Sequence, residues 1–401
     1  MTQNTIVKFD TSMLKNVLNQ LHLAQSAQTV IPILKGIRII VIPKKQIIKL
    51  TSASDDVFAV KTLPVEGKQI IISGEKKVDL VLQGTQLLQI IKSFKNSTTM
   101  FEFTDDQDIV KITNDTSKFE LAGLNGNNFP KMFDQDATKI GTFNLNDVTV
   151  AVNKVIGDAA VNNEARPLLN GIHVVTNKNK QLIIEATDSH VLGQLVTNAK
   201  LEQAVDVTLP AGVVQKSLRM FKSNATDNKQ TITLSAIEGD SATFYCESNN
   251  LLIQMRTLVG NYPDISGIVG GVEDTQKESF VINADRHELL DTVNQAMIAA
   301  PDGVIELNMR VGGKLTFKAS GQAHGQATFE ADLTNIKISV NNDRPDVKMT
   351  THFNAKLLKR VLTAFDTDKI NFNISAPLRP ASITSESDTN LLQIVTPVRT
   401  F

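Results

Sequence analysis

The stretch IPILKGIRIIV, residues 31–41, returns as RPLLNGIHVVT at 166–176, and this recurrence decides how the chain is divided. Self-similarity at a fixed spacing marks a repeat architecture. The following segment recurs as well: SASDD around Asp55, ATDSH around Asp188 and ASGQ around Gly321 stand 133 positions apart. GNNFP ends at Pro130 and GNYP at Pro263, again 133 apart, each followed by a polar stretch. Three units therefore fill the 401 residues, with expected domains at 1–130, 140–263 and 277–401 and linkers at 131–139 and 264–276. A chain of this length is also too long for one ordinary domain.

Each unit divides once more. Amphipathic helical segments begin near Met13, Thr85, Asp147, Gly212, Arg286 and Ala355. In MLKNVLNQL the residues Leu14, Val17, Leu18 and Leu21 fall at helical spacing after the candidate caps Asp10 and Thr11, and Asn354 precedes AKLLKRVLTAF in the same way. Between the helices lie alternating strand patterns such as QIIKLTSAS, KQLIIEATD and GKLTFKAS. QTITLSAIEGDSATFYCE reads as a hairpin turning at IEGDS. One helix plus several antiparallel strands per half-unit predicts an α+β fold of three repeated domains, each with two helices on antiparallel sheets.

Bulk composition excludes several classes. No apolar run approaches the roughly 20 residues that cross a bilayer. The N-terminus MTQNTIVKFDTSML lacks the pattern of a secretory leader, and Cys246 is the single cysteine, so a cytoplasmic location without disulfides is expected. No P-loop, zinc-ligand spacing or G-x-G-x-x-G context is present, so neither cofactor nor metal is expected. A net charge of -1 does not exclude nucleic acid, because distribution matters more than the sum.

The consecutive Asp188, Ser189 and His190 in LIIEATDSHVLG raise the possibility of a hydrolytic triad. A nucleophile and its base must meet at hydrogen-bonding distance, whereas consecutive strand residues point to opposite faces. There is no G-x-S-x-G elbow, and SASDD and ASGQ lack the histidine. No catalytic residues are expected.

The basic residues fall on the helices. GVVQKSLRMFKS places Val214, Leu218 and Phe221 on one face and Lys216, Arg219 and Lys222 on another. The last helix turns Leu357, Leu358 and Val361 inward and Lys356, Lys359 and Arg360 outward. Lys92 and Lys95 decorate the second helix, Lys154 the third and Lys15 the first. A solvated amphipathic helix has a charged face in any case, but recurrence on equivalent helices suits a common lining for phosphates that does not read sequence. Six helices about 10 Å apart leave an opening of only about 9 Å, too narrow for a duplex, whereas twelve leave roughly 28 Å. Two head-to-tail chains supply twelve, with Gln86 and Ile90 on one side of each interface and Met297 and Ile298 on the other.

With IPILKGI, LLNGI followed by EATDSH, GNYPDI, LRPASI and LLQIVTPVRTF in this order, the chain resembles the bacterial DNA polymerase III beta subunit, the sliding clamp, along essentially its whole length. The ending TPVRTF most resembles clamps of low-GC Gram-positive bacteria. The resemblance implies a ring-shaped homodimer around duplex DNA that tethers the replicative polymerase, is loaded by an ATP-driven clamp loader and has no catalytic activity. A divergent paralogue serving another polymerase or regulating host replication is the alternative.

The resemblance also implies DNA contacts at Gln28 and Asn163, the former neutral where the family can be basic. It implies a pocket for short partner peptides at Leu169, Thr187, Ser189, His190, Val191, Leu192, Pro263, Ile268, Leu378, Pro380, Ile394, Thr396, Pro397, Val398 and Arg399. Aliphatic walls there would accept Leu or Phe anchors while polar groups fix the register. Ser189 and Val191 stand where many clamps have glycine and arginine, and Gly267 where another arginine is frequent, so partner preference is expected to differ while the pocket persists.

Overall fold

Each copy of the opening motif makes one turn of 3₁₀ helix, Pro32–Lys35 and Pro167–Asn170. Proline starts the turn, where its missing N–H costs nothing, and Leu34 and Leu169 are buried. The glycine that follows opens the strand Gly36–Ile42 in one copy and Gly171–Thr176 in the other. A methyl group at Gly36 would lie 2.2 Å from Cγ1 of Val81, and one at Gly171 would lie 2.5 Å from Cγ2 of Thr208. The motif thus needs glycine for close strand approach.

The computed structural model describes residues 4–25, 29–95, 97–104, 109–132, 137–222, 230–237, 240–275, 280–301, 303–311, 313–321, 327–333, 336–340 and 348–399. Its helices are α1 Thr11–His22, α2 Gly84–Ser93, α3 Leu145–Val155, α4 Ala211–Lys222, α5 Ser266–Thr275, α6 Arg286–Ala299 and α7 Ala355–Thr363. Six coincide with the expected segments. Asp10 caps α1 by accepting the Met13 N–H at 2.8 Å, while Thr11 is already helical and shares a hydrogen bond with the Thr99 hydroxyl. Asn354 caps α7, accepting from Lys356 and Leu357. The helix α5 occupies the stretch read as a linker; its short, glycine-containing SGIVGGV carries too little periodicity to be seen in advance. The Thr138–Asn144 strand likewise begins inside the other expected linker.

The chain folds as two compact units, 1–148 with 212–257 and 149–211 with 258–401. In the first unit, a five-stranded antiparallel sheet runs Ile70–Ser73, Thr5–Asp10, Thr98–Phe103, Ile109–Thr113, Lys118–Ala122. A nine-stranded sheet joins strands of the first repeat to strands of the second where Val57–Pro64 pairs with Leu251–Arg256, Lys61 opposite Leu251. The expected hairpin is present, with Leu234 opposite Cys246. Buried Leu14, Val17, Leu18 and Leu21 of α1 pack with the apolar face of α2, and the Gln20 side-chain amide donates to the Met220 carbonyl of α4.

The second unit repeats this plan. Its nine-stranded sheet runs Asp206–Pro210, Gly171–Thr176, Gln181–Thr187, Val191–Lys200, Asp388–Val395, Ala381–Ser385, Lys369–Ile374, Phe280–Asp285, Lys337–Val340. The seam between repeats is the antiparallel pair Val191–Lys200 and Asp388–Val395. A four-stranded sheet carries Val304–Arg310 and Leu315–Gly321, and α6 packs on α7, with Leu289 and Val293 of α6 and Leu358 and Val361 of α7 buried. Pairing strands of adjacent repeats leaves neither sheet edge open at the seam.

Candidate partner groove and basic helix faces

The candidate groove is built from the turn Asp188–His190 between Gln181–Thr187 and Val191–Lys200. Asp188 Oδ1 accepts the N–H groups of His190 and Val191 at 2.8 and 2.9 Å, and the Thr187 hydroxyl donates to the Val191 carbonyl. This is an aspartate turn of the kind that lets a side chain stand in for backbone. The other oxygen of Asp188 accepts from Arg360 on α7, and Ser189 Oγ faces Arg166 at 3.4 Å. The three residues that spell a triad build a turn instead. Ser189 holds φ +82°, in the left-handed region that favours glycine.

Beyond the turn the chain lays down an apolar floor. Leu192 stands opposite Ile394 across the repeat seam, and both pack with Ile265, the three being buried, with Tyr262, Val269 and Leu392 against them. Just before α5, Asp264 accepts from the Ser266 N–H, and its carboxyl is held below the usual range by hydrogen bonds from Ser266. Ile268 on α5 and Leu378 in the loop after Lys369–Ile374 stay 45% and 61% exposed. Thr396 donates to the His190 carbonyl through both N–H and hydroxyl, and the Val398 N–H donates to the His352 carbonyl. The Thr351 hydroxyl holds the Pro377 carbonyl at 2.9 Å, so the C-terminal tail and the Leu378 loop are both anchored to Lys348–Asn354.

The structure thus joins Leu192 to Ile394 and His190 to Thr396. Pro263 and Arg399 are exposed, while Pro380, Pro397 and Val398 are half-buried. Leu169, Thr187 and Val191 are closed off from solvent, Val191 facing Val395. An arginine in place of Val191 would therefore be a buried charge, whereas a Cβ at Gly267 would meet nothing within 4 Å. Tyr262, Ile265, Val269 and Leu392 escaped the sequence reading, although GNYPDI contains the first two.

One wall of the groove rests on an ionic support. The His173 ring stacks on Tyr262, centroids 4.3 Å apart, and its two nitrogens meet Glu185 at 2.7 Å and Asp206 at 2.9 Å. Burial works to lower the imidazole pKa, but the two carboxylates outweigh it and the net direction is upward. Burial, reinforced by the charge of Glu185, pushes the Tyr262 phenol well above its ordinary value.

Of the expected phosphate-facing residues, Lys216, Arg219 and Lys222 on α4, Lys92 and Lys95 at the end of α2, and Lys356 and Lys359 on α7 are exposed. Two require correction. Lys154 pairs with Asp388 at 2.5 Å and lies 3.6 Å from Asp366, and Arg360 pairs with Asp188, so both are spent within the fold. Asn163 shapes its own loop, accepting from Arg166 and held by Asn170. Gln28 lies outside the described residues. Gln86 is at the surface, Ile90 faces inward, Met297 is half-buried and Ile298 is 81% exposed. No helix among the described residues is long and apolar enough to cross a membrane.

Residues 7–133 match the N-terminal domain and residues 144–264 the central domain of the DNA polymerase III beta subunit. The chain belongs to this family. It is 24% identical over 385 residues to the beta sliding clamp of Bacillus subtilis, covering 94% of this chain and 95% of that one. It is 25% identical over 405 residues to the beta sliding clamp of Staphylococcus aureus, covering 96% of each. The crystal structure of the Bacillus subtilis DNA polymerase sliding clamp superimposes with a TM-score of 0.85 at 21% identity, covering 100% of both chains. An α+β fold on antiparallel sheets is thus shared with this clamp structure.

Proposed function

We propose that this chain is a DNA sliding clamp, a processivity factor without chemistry of its own, which tethers the replicative polymerase through a short peptide docked in the groove of the second unit. Two head-to-tail copies encircle duplex DNA in the cytoplasm after a clamp loader opens them, each copy contributing three clamp domains at 1–130, 140–263 and 277–401. The observation that carries this reading is the buried floor Leu192–Ile265–Ile394 beside the exposed Ile268 and Leu378. Apolar groups left open around a packed floor are what an anchored Leu or Phe would cover.

The exposed cations of α2, α4 and α7 support sequence-independent contact with phosphates, which steers and holds without stalling. The exposed Ile298 beside the half-buried Met297, and the surface Gln86, support closure with a second copy. Retention on nicked circular DNA after loading, with release on linearising it, tests the ring. A protein that stays monomeric and never persists on the circle overturns it.

A further inference from the structure

Beneath the groove turn lies a buried carboxyl that the proposed function does not use. Asp158 ends the 3₁₀ turn Ile156–Asp158 after α3 and is 1% exposed. Its Oδ2 accepts from Gln393 Nε2 at 2.9 Å, and the same amide nitrogen donates to the Lys154 carbonyl at 3.1 Å. Gln393 is fully buried, and its Oε1 has no hydrogen-bond partner. A Cβ at Gly193, on the strand that leaves the turn, would lie 2.1 Å from Asp158 Oδ2. The Asp158 carboxyl and the Gln393 amide therefore leave no room for a side chain at position 193.

An orphan amide oxygen beside a buried carboxyl has a simple chemical remedy. A protonated Asp158 donates its O–H to Gln393 Oε1 while Gln393 donates back, satisfying both groups. Ionised, Asp158 keeps only the acceptor half of that pair and needs a cation. The guanidinium of Arg360 is the cation nearby: α7 packs on the 3₁₀ turn, a Cβ at Gly157 would sit 3.9 Å from Arg360 Cγ, and Arg360 and Asp188 both act electrostatically on Asp158. Tyr262 of the groove wall also interacts electrostatically with Asp158, while the Lys154 ammonium is held by Asp388.

We propose that Asp158, Arg360 and Asp188 form a latch under the rim of the partner groove, in which Arg360 is a positioning residue shared between two carboxyl groups according to the charge on Asp158. With Asp158 neutral, Arg360 belongs to Asp188 and the turn Thr187–Val191 is held in its binding shape. With Asp158 ionised, a second carboxylate draws on the same guanidinium, and the turn that carries Ser189 and His190 loosens. Burial first, opposed by the Gln393 hydrogen bond and by Arg360, places the Asp158 carboxyl at about 7, so the exchange falls near neutral pH.

This inference rests on the groove reading, and the test separates the two. An acetylated, rhodamine-labelled hexapeptide with Leu and Phe anchors and no titratable side chain is titrated against the full chain between pH 6 and 8.5. Wild-type affinity is expected to fall about three- to tenfold as pH rises, a small fraction of a binding free energy. Asp158→Asn, whose amide pairs with Gln393 as the protonated acid does, is expected to bind at the low-pH level throughout. Arg360→Met is expected to bind weakly at every pH, with partial rescue by Arg360→Lys. A pH-independent wild type, or an Asp158→Asn chain with the wild-type profile, overturns the latch. If the peptide binds at no pH, the groove reading fails. Hydrogen exchange of the His190 and Val191 amides then still decides the latch: the wild-type to Asp158→Asn rate ratio must rise through pH 7, and a constant ratio overturns it.

Discussion

His173 lies flat against Tyr262, ring centroids 4.3 Å apart with 20° between the planes, while Glu185 and Asp206 grip its two nitrogens. This stack ties the GNYP segment, a landmark of the repeat, to the sheet that carries the groove. Tyr262→Ala is expected to lower stability by about 2 kcal/mol, between the value of an aromatic pair and that of a fully buried ring. Peptide affinity should fall at least several-fold, because Ile265 loses its packing partner. Denaturant unfolding and peptide titration check both.

The same stacked pair predicts a pH dependence. The His173 imidazole is raised by its carboxylate partners against the cost of burial. Its contribution to stability is full below the ordinary histidine value and is lost as pH rises through the raised one. Wild-type melting temperature should therefore decline across that window on account of His173. His173→Gln should remove this component and flatten the curve there. An unchanged slope in the variant would mean that the carboxylates do not hold a protonated ring.

Ser189 keeps a left-handed backbone, φ +82°, that costs a side-chain-bearing residue on the order of 1 kcal/mol relative to glycine. Ser189→Gly is expected to raise stability by about that amount, less the entropy glycine adds to the unfolded chain. Its hydrogen bond from Arg166 at 3.4 Å is too long and too exposed to compensate. Thermal unfolding gives the sign directly.

The floor and the rim of the groove should separate stability from binding. Leu192→Ala or Ile394→Ala removes a buried side chain and should cost about 2–5 kcal/mol. Leu378→Ala and Ile268→Ala act on exposed groups and should leave stability within about 0.5 kcal/mol while reducing peptide affinity. Equal affinity in wild type and both rim variants would place the partner elsewhere.

Replacing Lys216, Arg219 and Lys222 together by alanine should weaken DNA binding uniformly across sequences. The salt dependence should be shallower by up to about 0.9 in log–log slope for each phosphate that the variant no longer neutralises. Lys154→Ala should instead act on stability, because that ammonium is held by Asp388 within the fold. DNA binding measured at several salt concentrations distinguishes the two groups.

Patterns along the chain placed most of the helices and missed α5, whose glycine-containing segment has little periodicity. Periodicity placed six helices, and Asp10 and Asn354 marked two of their starts. Local chemistry suffices for these, since a helical face or a glycine forced by a passing strand is written within a few residues. Tertiary structure alone decided which strands meet. Val57–Pro64 pairs with Leu251–Arg256, and Val191–Lys200 with Asp388–Val395, because alternation specifies a strand's faces and leaves its hydrogen-bonding edges unspecified. It also decided the fate of individual charges: Arg360 and Lys154 read as outward cations, but Asp188 and Asp388, 172 and 234 positions away in sequence, neutralise them. Coulomb attraction depends on distance in space, and no pattern along the chain records that distance.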